Sequence, residues 1–399
     1  MQVQWKHQFS RRSFLHSMAT SIGVLAVPAL TEGRLMGQFR GHDKAEGPPV
    51  VNGVYLDANE NPLGPSPASI RAAQDIVPSG GRYYRYLTNQ LVKTFASQEG
   101  LKPEYIVAYP GSSVPLSQAI VSYTSPQRSF VTVDPGYDGA SRVAEAIGSK
   151  VVKVPLTSAF EHDVEAMIAQ GPDAGILYVC NPNNPTGTIT SREKIDYLLA
   201  HKPKDAIVIV DEAYIHYTSE KSAIDLVRSD QDVIVLRTFS KIYGMAGMRC
   251  GLAIARPDLL AKLGRFGRVL LPIPSVAAAK ASLDDQSLIP ARKKEVADVR
   301  EETFDWLRSH HYSFIPSVTN FFQLDTKRPG QDVIDLMSDH QVYIGRVWPI
   351  MPTWVRITIG TRPEMERFKA AFQQVIETPA TAMGRMPRIA RGTTDDFIC

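Results

Sequence analysis

Cysteine is scarce, neither sign of charge is in excess, and no apolar run reaches the length of a membrane helix. The 399 residues hold three cysteines, Cys180, Cys250 and Cys399. No two stand at metal-ligand spacing, so neither a disulfide framework nor a metal site is expected. Cys180 closes an apolar strand and Cys250 lies in a Gly-flanked turn, so both read as small buried residues. Lys and Arg total 44 against 41 Asp and Glu, a net charge of +3. With no basic stripe interleaved with aromatics outside the two ends, nucleic acid is not an expected partner. The mild apolar run Ser17–Leu30 is shorter than the roughly 20 residues a spanning helix needs, so stable membrane insertion is not expected. Internal repeats are absent as well.

What is present is an ordinary globular composition, 44% hydrophobic and 21% charged, in a chain long enough for a large domain and a smaller one. Residues 1–30 read as an address. Ser10-Arg11-Arg12-Ser13-Phe14-Leu15, the apolar run and the small residue Ala29 resemble a bacterial twin-arginine export signal. That predicts a protein exported after folding and periplasmic once its signal is cleaved. Residues 31–49 read as a linker and 379–399, with no apolar period, as a disordered tail.

Between these ends the predicted fold is α/β. Residues 50–80 form an irregular arm with one short helix, Pro67–Ile76, at the start of a small domain. Residues 81–271 form a large domain and 272–378 a smaller α+β domain. Strands are expected at Ile106–Tyr109, Ser129–Val133, Lys150–Val154, Gly175–Cys180, Ala206–Val210, Val233–Arg237 and Gly251–Ala255. Runs such as IVIV and VIVL are apolar throughout, as strands buried on both faces of a parallel sheet are. Two more strands, Asn320–Leu324 and Val355–Ile359, belong to the smaller domain.

Chemistry-bearing residues fall where the apolar strands stop. Cys180 is followed by Asn181-Pro182-Asn183-Asn184-Pro185-Thr186-Gly187, Val210 by Asp211-Glu212-Ala213-Tyr214, and Arg237 by Thr238-Phe239-Ser240-Lys241. Ligands of open parallel sheets bind just outside the carboxyl ends of the strands. An amide, a carboxylate, a phenol and an amine are therefore expected to converge there. A lysine among buried strand ends loses charge to desolvation and becomes a nucleophile for a carbonyl. A buried carboxylate suits a cationic ring nitrogen acting as an electron sink. Arg249, eight residues after the lysine, supplies a guanidinium suited to phosphate.

These residues also carry a resemblance. YLDANENPLGPSP, RY at Arg82-Tyr83, NPNNPTG, DEAY, TFSK, AGMRCG and VRITIGT are similar to motifs of the fold-type I aminotransferases, and among them of the histidinol-phosphate aminotransferase family. The likeness runs from about Tyr55 to about Ile376. It implies an aspartate-aminotransferase-like fold, pyridoxal 5'-phosphate as cofactor, and transfer of an amino group from an amino acid or amino-alcohol phosphate to a 2-oxo acid. By the same resemblance Lys241 is the Schiff-base lysine and proton shuttle, and Asp211 is the partner of the pyridine nitrogen. Asn184 and Tyr214 bond the phenolic oxygen, with Asn184 also near substrate, and Tyr137 stacks on the ring. Thr238, Ser240, Arg249 and the turn Gly111-Ser112-Ser113 match the phosphate cradle. Tyr83 matches a tyrosine supplied by the neighbouring subunit, which implies a homodimer with shared active sites. Arg356 matches the arginine for an anionic substrate group, usually the α-carboxylate, and Arg346 one near the substrate's distal end. From the residues alone, a turn tyrosine is an alternative for Tyr137, and a surface charge is one for each of the two arginines.

Three departures bear on substrate. The phosphate turn continues Ser113-Val114-Pro115 without the usual acidic residue pair, Tyr84 replaces a proline after RY, and His216 replaces an acidic residue after DEAYI. Two other readings compete with transamination. One is a pyridoxal-phosphate oxidase, lyase or cyclase of secondary metabolism. The other is an exported binding protein that keeps the fold without the chemistry.

Overall fold

The computed structural model describes residues 52–267 and 269–377. The proposed signal, linker and tail lie outside the described residues. Twelve strands occur among the described residues. In the first half of the chain they are β1 (Val54–Leu56), β2 (Ile106–Tyr109), β3 (Ser129–Asp134), β4 (Val151–Pro155), β5 (Ala174–Cys180) and β6 (Ile207–Asp211). Then come β7 (Val233–Thr238), β8 (Gly251–Ala255), β9 (Phe314–Ile315), β10 (Phe321–Asp325), β11 (Val342–Ile344) and β12 (Trp354–Thr358).

β2 to β8 make one seven-stranded sheet in the order β2-β8-β7-β6-β5-β3-β4. Every residue of β5, β6, β7 and β8 is buried, which explains why these strands read as unbroken apolar runs. Helices Asp138–Ala146, Val164–Gln170, Arg192–His201 and Ile224–Arg228 each connect one parallel strand to the next, as parallel connections require.

One strand departs from the expected parallel set. β8 runs antiparallel to both neighbours, β7 and β2. The connection from β7 to β8 is short and holds only the 3-10 turn Ala246–Met248. Without a crossover helix the chain can only double back. The consequence is functional: the start of β8 lies at the same edge as the carboxyl ends of the parallel strands.

Beyond the large sheet, β12, β10 and β9 form an antiparallel sheet, and β1 pairs in parallel with β11. The helix Pro67–Ile76 has the expected bounds, with Ser66 as N-cap accepting from the Ser69 amide and Pro67 at the first turn, where proline costs nothing. The arm around it is more regular than expected, because β1 is a strand. No described helix is long and apolar enough to cross a membrane. Cys180 and Cys250 are buried free thiols.

Candidate active site

Asp211 and Lys241 arrive at one edge of the large sheet by the strands that precede them. β6 ends on Asp211, 5% exposed, whose carboxylate accepts from the Tyr178 hydroxyl at 2.9 Å and the Ala213 amide at 3.2 Å. Burial outweighs these bonds and pushes the Asp211 carboxyl up from 3.8 to about 6. Lys241, three residues past the end of β7, is half-buried and donates to the Ala58 carbonyl at 3.1 Å. Its ammonium lies 5.6 Å from the centre of the Tyr214 ring. Desolvation first, then the Arg356 guanidinium, pull the amine down from 10.5 to about 8. An amine so placed is partly uncharged near neutrality.

A second group of residues forms an anion cradle. Ser112 and Ser113 open the helix Ser113–Tyr123, which has no side-chain cap and no acidic residue in its first turn. Its leading amides are thus left to a ligand. A side chain at Gly111 would collide with the Arg249 guanidinium, and Gly111 has φ +83°. A Cβ at Gly251 would fall 2.6 Å from the Ser112 nitrogen. Glycine at both positions therefore lets β8 and Arg249 close on the helix start. Arg249 reaches the Ser240 hydroxyl at 3.4 Å, and Ser240 accepts from the Thr238 hydroxyl at 2.9 Å.

The third group faces this cradle from the three-stranded sheet. Arg356 of β12, 7% exposed, donates to the Asn184 side-chain oxygen at 2.8 Å and the Asp57 carbonyl at 2.5 Å. Its guanidinium lies 5.8 Å from the Phe321 ring and 5.7 Å from the Trp348 ring. Burial pulls it down to about 10. Arg346 pairs with Asp138 at 2.7 Å. Tyr137 precedes Asp138, its ring lies over Gly139, and burial followed by the Asp211 charge raises its phenol.

Asn184 and Tyr214 have separate partners: the Asn184 side-chain oxygen accepts from Arg356 at 2.8 Å, and the Tyr214 hydroxyl accepts from the Asn59 amide at 3.0 Å. Tyr83 stands apart, 75% exposed. His216 turns away from the cradle, 2.9 Å from Arg237, which also bonds Glu212 at 2.7 Å and the Ser222 hydroxyl at 2.9 Å. Burial and Arg237 keep its imidazole well below 6.5, hence neutral and able to accept.

Sequence reasoning passed over three participants. Asn59 sits inside the quoted LDANENP stretch, and its motif position was the available signal. Tyr178 looks like one more apolar strand residue until its hydroxyl meets Asp211. The Ala58 carbonyl has no signature at all.

Residues 51–372 match the family model described as aminotransferase class I and II. The chain belongs to this family. A histidinol-phosphate aminotransferase of Moorella thermoacetica is 32% identical over 341 residues, covering 82% of this chain and 86% of the relative. An aromatic amino acid aminotransferase of Cutibacterium acnes is 30% identical over 332 residues, covering 82% and 93%. The structure of a Sinorhizobium meliloti histidinol-phosphate aminotransferase in complex with pyridoxal 5'-phosphate superposes with TM-score 0.77 at 24% identity, covering 90% of this chain and 99% of that one. At that identity it speaks for the fold alone, as does a variant of the Thermus thermophilus aspartate aminotransferase, TM-score 0.70 at 18% identity, covering 81% and 96%. The fold is thus aspartate-aminotransferase-like, the enzyme is a transaminase, and its cofactor is pyridoxal phosphate. Oxidation, elimination or mere binding is not favoured by these relatives.

The donor set fits that cofactor. The uncapped helix start beside Arg249 and two hydroxyls suits its phosphate. The buried carboxylate, raised for want of a cation, suits its ring nitrogen. The half-buried amine suits its aldehyde.

Proposed function

We propose that this enzyme moves an amino group between an amino acid and a 2-oxo acid with Lys241 as its base, and that Arg356 receives the substrate carboxylate. The observation that carries the reading is the position of Lys241. It is a depressed amine lying between a buried carboxylate at the end of β6 and a buried guanidinium on β12.

The cofactor, when bound, supplies the carbonyl that takes up the amino group and a ring that accepts electrons from the substrate Cα. The chain supplies the rest. Ser112, Ser113, Thr238, Ser240 and Arg249 hold the phosphate. Asp211, oriented by Tyr178, keeps the ring nitrogen protonated. Tyr214 and Asn184 border the phenolic oxygen, and Tyr137 covers the ring. Lys241 would take the proton from Cα and return it to the cofactor's C4′ carbon, on the far side of the amino nitrogen. Arg356 fixes the substrate so that this C–H bond faces the lysine, since two parallel hydrogen bonds set orientation as well as charge.

Arg356→Lys keeps the charge and loses the fork. It is expected to raise KM for the amino acid without weakening cofactor binding. Arg356→Ala should weaken substrate further, by roughly 2–5 kcal/mol. KM and melting temperature measured on both variants check this. A lower melting temperature with unchanged KM would make Arg356 a structural brace.

The working unit is proposed to be a homodimer. The exposure of Tyr83 supports it, because a tyrosine that stands outside its own site is free to enter a neighbour's. Export by the twin-arginine route is proposed from Arg11 and Arg12. Changing both to Lys should strand active enzyme in the cytoplasm of the native host. Equal fractionation of the two forms would remove the proposal.

A further inference from the structure

The Arg346–Asp138 pair lies next to Arg356 on its more open side. Arg356 is almost fully buried, whereas the side chains of Arg346 and Asp138 are 38% and 34% exposed. The two arginines share one aromatic wall. The Arg346 guanidinium lies 4.4 Å from the centre of the Trp348 indole and that of Arg356 lies 5.7 Å from it. Trp348 is itself fixed, 1% exposed and donating to the Gly136 carbonyl at 2.9 Å. The main chain ties them as well, since the Arg356 amide donates to the Arg346 carbonyl at 3.4 Å. A ligand carboxylate on Arg356 therefore has a second guanidinium one indole away, and that guanidinium already holds a carboxylate.

Asp138 is well anchored as an anion. It is the first residue of the helix Asp138–Ala146, where the helix dipole favours negative charge, and Arg346 bonds it at 2.7 Å. A second anion reaching for Arg346 would meet the Asp138 carboxylate at hydrogen-bond range and would have to displace it. An uncharged side chain meets a cancelled charge. Building repulsion against one ligand class is a route to specificity that needs no added attraction for the other.

We propose that Asp138 is a specificity-determining residue. By neutralising Arg346 it makes the site prefer amino acids with an uncharged side-chain end over those ending in a carboxylate or phosphate. The inference rests on Arg356 as the carboxylate site.

The test uses the cofactor-loaded enzyme and two competitive inhibitors, maleate as dicarboxylate and hydrocinnamate as aryl monocarboxylate. The quantity read is the ratio of their inhibition constants, maleate over hydrocinnamate. Wild type should give a ratio above one. Asp138→Asn frees Arg346, and the ratio should fall by about tenfold or more. Arg346→Gln leaves Asp138 uncancelled, and the ratio should rise. A brace lost from either side would instead weaken both inhibitors alike, so opposite shifts from the two halves of one pair mark a charge filter. A ratio below one in wild type, or one within about twofold of wild type in either variant, overturns the proposal. Arg356→Lys separates it from the reading beneath it. If that change weakens both inhibitors while Asp138→Asn leaves the ratio alone, the charge filter fails and the carboxylate site stands. If Arg356→Lys weakens neither, both fail.

Discussion

Lys241→Ala is expected to lower kcat by at least about 10⁴-fold, the upper range for one positioned acid–base group. The lysine is asked to do two things that no neighbour can take over. It anchors the cofactor aldehyde, and it carries the Cα proton. Its ammonium stands 5.6 Å from the centre of the Tyr214 ring, inside the group of strand ends that gathers the other site residues. Cofactor should still bind through the Ser112, Ser240 and Arg249 cradle, without a covalent bond. Steady-state turnover and the absorbance of the bound cofactor check both halves. Turnover within about 100-fold of wild type would mean that another base carries the proton.

Asp211→Ala is expected to slow Cα deprotonation by about 10²-fold or more, the usual loss when a preorganised charge is removed from a reacting centre. Release of 2-oxo acid in a single turnover measures this directly, and a rate within about threefold of wild type would contradict the role. A pH effect follows from the same carboxyl. Its folded value of about 6 lies above its ordinary 3.8 because of burial. A raised carboxyl contributes stability that is fully present below about pH 4 and is lost as pH rises through about 6. Cofactor-free enzyme should therefore lose roughly 3 kcal/mol between those values, at 1.36 kcal/mol per unit. Asp211→Asn should lack that fall, and a bound ring cation should flatten it in wild type. Urea unfolding of the three forms at pH 4.5 and 7 separates them; pH 4.5 already lies inside the window, so about 2 kcal/mol of the fall is read between the two conditions.

The parts of the fold visible in the sequence are those with strong local periodicity. β5, β6 and β7 are apolar from end to end, so burial on both faces could be read directly. β1 and β11 have three residues each and β9 two, too few to show a period. The direction of β8 was hidden for another reason. Direction depends on the connection, and nothing local distinguishes an antiparallel strand buried on both faces from a parallel one.

The site divides in a similar way. Lys241, Asp211 and Asn184 follow strand ends, and topology alone gathers strand ends on one edge. Contacts made across long separations had no such signal. Arg346 meets Asp138 across 208 positions, and Asn59 meets Tyr214 across 155. The sequence presents Arg346 as a free cation available to a substrate anion. The structure gives it a carboxylate already in place.

The identity of the lysine is the claim on which the rest depends. Reducing the cofactor-loaded enzyme with borohydride fixes the cofactor to whichever amine holds it, and peptide mapping then locates the added mass. The expected result is one modified peptide, containing Thr238-Phe239-Ser240-Lys241, with the mass on Lys241. Stable modification of any other lysine, with Lys241 left unmodified, would contradict it.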